Sequence, residues 1–244
     1  MTKLTRALAL SVLFCPLMSA PAAADVPIVF TPMTTPDIMY PVVLNPCPNG
    51  KCPAVSGNET AQRQMSSAGS SATSSANLTF SPSAQRRKQN LARFIQKSNG
   101  DPSMKAFAAK SGQLFPKIER MMGSVGLSAN NVADTYALWW ISAWDASHGV
   151  TVTRPASTYQ AVKRQAARAI LGSSQFQGAT PALKQEMAEA LIAQTVFIDS
   201  SVEDAKNDPQ KLRLVGAAVA KGARRMGIDL SAMTLTPAGF RSGQ

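Results

Sequence analysis

Histidine is almost missing from this chain, with His148 alone among 244 residues. Cysteine is nearly as scarce, at Cys15, Cys47 and Cys52. One imidazole and so few thiols furnish no zinc or haem ligand set, so neither cofactor nor metal is expected. No glycine-rich phosphate loop is present, because Gly123-Ser124-Val125-Gly126 reads as a helix stop. Strand signals are nearly absent beyond Ser81, apart from Val150 to Thr153. Long apolar runs are missing too. The longest, Ala7 to Met18, contains Pro16 and falls short of the roughly 20 residues that span a bilayer as a helix.

What stands at the N-terminus is an export signal. Lys3 and Arg6 precede that short apolar run, and Ala22-Ala23-Ala24 supplies small residues for cleavage before Asp25. Phe14 before Cys15 argues against lipoprotein processing. The expected location is periplasmic or secreted, with residues 1–24 removed near Ala24/Asp25. Cys15 leaves with the signal. Cys47 and Cys52, flanked by prolines around Asn49 and Gly50, are expected to close a small disulfide loop in an oxidising compartment.

Residues 25–80 read as a disordered lead, Pro-rich and then Ser/Ala-rich. Punctuation changes at Ser81. Ser81-Pro82, Asp101-Pro102, Thr180-Pro181 and Asp208-Pro209 each place a capping side chain before a proline. Glycines at 100, 123, 149, 172 and 227 supply stops. Residues 81–244 are therefore expected to form an all-α domain, one bundle of about six helices. The stretch 102–123 is expected as two pieces, broken near Ser111-Gly112 and Pro116.

The most distinctive segment runs from Asn131 to His148 and holds all three tryptophans. Asn131 suits an N-cap and Asp134 suits the first turn, where negative charge faces the helix dipole. Tyr136, Trp140 and Trp144 share one face at steps of four, with Trp139 beside it. A helix so apolar is expected to be the central rod of the bundle. The rival reading is an aromatic floor for a ligand groove, since sugars and peptides stack on indole.

Asn131-Val132-Ala133-Asp134-x-Tyr136-x-x-Trp139-Trp140, the following Trp144, and Leu235-Thr236-x-x-Gly239-Phe240 resemble the signature of an uncharacterised family of exported bacterial proteins. Those proteins carry a helical domain of unknown function, and the resemblance spans residues 85–240. It implies a fold and a location and no activity.

Charge narrows the partners. Basic residues outnumber acidic ones 25 to 14, and residues 81–244 alone carry a net +10. Outside the cytoplasm such a surface favours an acidic protein or an anionic envelope component. Nucleic acid is disfavoured, because the tryptophans are not interleaved with the arginines as a stacking platform would need. The first reading is thus an exported, non-catalytic envelope protein that binds an anionic or protein partner. The second is a cell-wall hydrolase using paired carboxylates, from among Glu119, Asp134, Glu186 and Glu189, in a tryptophan-lined cleft. His148 with Asp145 three residues before it could make an acid–base pair, but no nucleophile motif adjoins them, so His148 reads as a helix-dipole partner. No catalytic residue is assigned.

Overall fold

The computed structural model describes residues 78–173 and 176–242. The signal, nearly all of the expected lead and the Cys47–Cys52 loop lie outside them. Among the described residues the chain is all-helical apart from one small hairpin. The helices are α1 (Ala84–Lys97), α2 (Pro102–Ser124), α3 (Val132–Ser147), α4 (Ala156–Gly172), α5 (Pro181–Ala205) and α6 (Pro209–Arg225). A single turn of tighter helix, Leu230–Ala232, then leads into β1 (Met233–Thr236) and β2 (Gly239–Ser242).

Capping explains most of the starts. Asp101, Thr180 and Asp208 each accept a hydrogen bond from an otherwise orphaned N–H, with proline next in the chain. At α1 the cap is Ser83, which accepts from the Arg86 N–H, rather than the expected Ser81. The expected break in 102–123 does not occur. Met104 and Phe107 are buried ahead of Ser111-Gly112 and Phe115, Ile118 and Met122 around and beyond Pro116, and their packing holds both halves in one helix.

Helix α3 lies at the centre, buried on nearly every side, and it packs against α4, α5 and α6. It shares that position with α5, which buries Gln185 through Ala193 without interruption. Two apolar clusters flank this pair of rods. One gathers Trp139, Trp140, Val162, Ile170, Leu191, Val219 and Phe240, and the other gathers Phe94, Phe107, Phe115, Met122, Leu138 and Phe197. Close packing of α6 on α3 depends on Gly216, where a Cβ would stand 2.7 Å from the Ala146 carbonyl oxygen.

Two details extend the packed unit beyond expectation. Leu78 is fully buried, and its carbonyl accepts from the Val132 N–H at 3.0 Å while the Phe80 N–H donates to Asn130. Folding therefore engages residues that look like lead. The strand signal at Val150 to Thr153 does not pair. The antiparallel hairpin forms instead at β1 and β2, in register Thr236↔Gly239, turned by Pro237 and Ala238. Gly239 has φ of +100°, which a side chain would strain, and a Cβ there would stand 2.5 Å from Gln165 Oε1.

Candidate functional site

The aromatic segment is a structural spine. Asn131 caps α3, its side chain accepting from the N–H groups of Ala133 at 2.9 Å and Asp134 at 3.3 Å. Asp134 is buried. It accepts from the Ser128 N–H at 2.7 Å and from Lys163 Nζ at 3.0 Å. Burial raises its carboxyl above the ordinary range, while Lys163 and Ser128 oppose that rise. Tyr136 is sealed between the edges of Trp139 and Trp140, and burial raises its phenol as well.

Trp139 and Trp140 are 2 % and 0 % exposed, so neither floors a groove. Trp140 stacks on Phe240 with centroids 4.1 Å apart, and the half-buried Trp144 donates its indole N–H to the Met233 carbonyl at 3.0 Å. His148 covers the exposed side of Trp144, stacked at 4.1 Å, and the Arg154 guanidinium lies 5.4 Å from the same ring. The tryptophan face is therefore closed by protein.

The acids suggested for hydrolysis are also engaged. Glu189, 2 % exposed, accepts from Arg87 Nε at 2.9 Å, Asn90 Nδ2 at 2.6 Å and Gln185 Nε2 at 2.9 Å. Glu186 is gripped by both ends of the Arg93 fork, at 3.2 and 2.7 Å. Arg87 spans Glu189 and the Phe115 ring, 3.8 Å from its centroid. Glu119 sits on the exposed side of α2, 3.8 Å from Arg87. Together these tie α1 to α5 and leave no opposed pair across a cleft.

A polar concavity of about 340 Å³ opens elsewhere, between the C-terminal half of α3, the connection Val150 to Thr153 and the far end of α5. Asp145 on α3 is held by the Arg154 fork, with Nε 3.2 and 3.0 Å from its two oxygens and a terminal nitrogen closer still. Burial raises the Asp145 carboxyl, and Arg154 pulls it back. The acid–base pair of Asp145 with His148 is therefore not formed, since His148 Nδ1 lies 2.9 Å from the Trp144 carbonyl and 3.0 Å from the Ser147 hydroxyl.

Asp199 on α5 faces the same space. Its surface is open to solvent at the mouth, yet protein crowds it on the other sides. That crowding pushes its carboxyl up to about 6, with Asp145 adding repulsion and the Ser142 hydroxyl favouring the ionised form. The Tyr159 phenol is raised by burial first and by both carboxylates second. One carboxyl neutralised by a guanidinium and another able to hold a proton near neutrality can exchange a proton with a bound group, or accept hydrogen bonds from a cationic one. Sequence reasoning missed Asp199, Ser142 and Tyr159 as a group. They lie on three helices, so no local spacing announces them.

Among the described residues no three His, Cys, Asp or Glu side chains are grouped so as to hold a metal ion. No described helix is long and apolar enough to cross a membrane. No curated protein and no solved structure matches the chain. A family model does match residues 52–242, and the chain belongs to that family of unknown function, DUF6683.

Proposed function

We propose that this is an exported, non-catalytic envelope protein whose basic helical domain binds an anionic partner. The observation that carries the reading is α6, which bears Lys211, Arg213, Lys221, Arg224 and Arg225 and no acidic residue. The net +10 of residues 81–244 points the same way. Asp134, Asp145, Glu186 and Glu189 pair with Lys163, Arg154, Arg93 and Arg87, none of them on α6, so these acids do not neutralise that helix. Cleavage near Ala24/Asp25 would release the chain to the periplasm or beyond, where Cys47 and Cys52 would pair and close their turn.

Binding to soluble polyglutamate, titrated with salt, tests this. The expected result is tight binding at low ionic strength that weakens steadily as salt screens the charges. Absence of binding at low salt would sink the reading.

The hydrolase reading keeps one observation in its favour, the unlike carboxyls Asp145 and Asp199 in one concavity. Its tryptophan floor does not exist, since Trp139 and Trp140 are sealed and Trp144 is covered. Release of soluble fragments from purified cell wall by the wild type, and not by Asp199→Asn, would restore it.

A further inference from the structure

We propose that the outward face of α6 docks flat on an anionic phospholipid surface. This rests on the reading of a basic, partner-binding domain and names the chemistry of the partner.

The inward stripe of α6, Val215, Gly216, Val219 and Ala223, is buried against the domain. On the opposite side Leu214 is 65 % exposed. At 3.6 residues per turn, positions three before, seven after and eleven after Leu214 return to its side of the helix. Those positions are Lys211, Lys221 and Arg225, and Arg213 and Arg224 flank them; all five are exposed. Arg213 and Lys221 form no ion pair among the described residues.

The nearby acids stand at the two ends of the helix. Asp208 caps its start, the Asp204 carbonyl lies 3.4 Å from Lys211 Nζ, and Asp229 sits near Arg224 beyond its end. On the outward face Lys211 and Arg213 stand toward the start and Lys221, Arg224 and Arg225 toward the end, with an uncharged stretch between them that Leu214 opens as its one large exposed apolar group.

That pairing of chemistries selects among polyanions. A soluble acidic polymer offers charge and leaves an exposed leucine in water. A bilayer interface offers phosphate to the cations and acyl carbon beneath to the leucine. Nucleic acid fits less well, because α6 carries no aromatic side chain on which a base could stack. The helix spans about 25 Å, enough to rest across several head groups at once.

Co-sedimentation of the chain lacking residues 1–24 with phosphatidylcholine vesicles, with and without phosphatidylglycerol, tests the proposal. Binding is expected only where phosphatidylglycerol is present. Arg213→Glu with Lys221→Glu should weaken it by at least about tenfold. Leu214→Ala should weaken it severalfold without changing its salt dependence. Arg164→Glu with Arg168→Glu on α4 makes the same change in net charge and should cost much less. A thermal melt of each variant establishes that it is folded.

Equal losses from the α4 and α6 pairs would overturn docking by this face, and so would absence of a phosphatidylglycerol preference. Polyglutamate separates the two levels. A chain that binds the polymer and no vesicle retains the anionic-partner reading and refutes lipid docking. One that binds neither refutes both.

Discussion

The side-chain amide of Gln165 pairs with the backbone of Phe240 as a neighbouring strand would. Its Nε2 donates to the Phe240 carbonyl at 2.7 Å, and its Oε1 accepts from the Phe240 N–H at 2.8 Å. Gln165 is completely buried, so one helical side chain satisfies both polar groups of a residue that the two-strand hairpin leaves at its edge. The Phe240 ring meanwhile stacks on Trp140. Hairpin and aromatic helix are thereby joined at a single residue. Gln185 does the same for Ser83, donating to its carbonyl at 2.8 Å and accepting from its N–H at 3.0 Å.

Gln165→Leu should therefore destabilise the protein well beyond the loss of one side chain. Two buried backbone groups would lose their partners, at about 1–3 kcal/mol each. Urea denaturation is expected to show a total loss of about 2–6 kcal/mol. A loss under about 0.5 kcal/mol would mean that the hairpin finds other partners.

Two glycines should tolerate no side chain. Gly216→Ala drives a Cβ to 2.7 Å from the Ala146 carbonyl oxygen, so α6 must shift off α3. A loss of about 1–3 kcal/mol is expected, the range for overpacking. Gly239→Ala combines a similar clash on Gln165 with a φ of +100°, and should cost at least as much. Thermal melts of both variants check this, and an unchanged midpoint in either would contradict the close approach.

The buried polar contacts between α1 and α5 make a third case. Glu189→Ala removes the carboxylate that Arg87, Asn90 and Gln185 share. Breaking such a cluster from one side costs about 3–5 kcal/mol when the partner stays buried. Arg87 is partly exposed and can turn to solvent, so the lower end is expected. Glu189→Gln, which keeps the shape and some of the bonds, should recover part of the loss in the same denaturation experiment.

Asp199 gives a pH dependence whose sign can be stated. Its carboxyl is raised to about 6 in the folded chain against an ordinary 3.8, so the folded state holds a proton more tightly than the unfolded one. Its stabilising contribution is complete below pH 3.8 and is lost as pH rises through 6. Asp145 and Asp134 shift in the same direction and Asp229 in the other, so the comparison must be against Asp199→Asn. The wild type should lose stability relative to that variant between about pH 4 and pH 7, measured by paired thermal melts. A constant difference across that range would show that Asp199 is not raised.

The aromatic helix was legible because its period and cap are local. Asn131 starts it, and Tyr136, Trp140 and Trp144 at steps of four, with Trp139 beside them, demand burial wherever the chain runs. The start signals at Asp101, Thr180 and Asp208 were legible for the same reason. Pro116 misled, because a local breaker lost to a long apolar stripe around it. Val150 to Thr153 misled in the opposite sense, its β-branched residues lining a concavity instead of pairing. Glu186 and Glu189 could be read as acids free for hydrolysis only until Arg93 and Arg87 on the facing helix were known.

Composition and periodicity by themselves determined an all-helical domain, its indole-rich rod and its excess of positive charge, since each is written in short stretches of chain. Tertiary structure alone decided which polar groups meet. Asp145 and Asp199 share a concavity because α3 and α5 cross there, and Gln165 reaches Phe240 because α4 packs under the hairpin. Contacts between residues fifty or more positions apart are set by how whole helices bury their apolar faces, and no window of sequence holds that information.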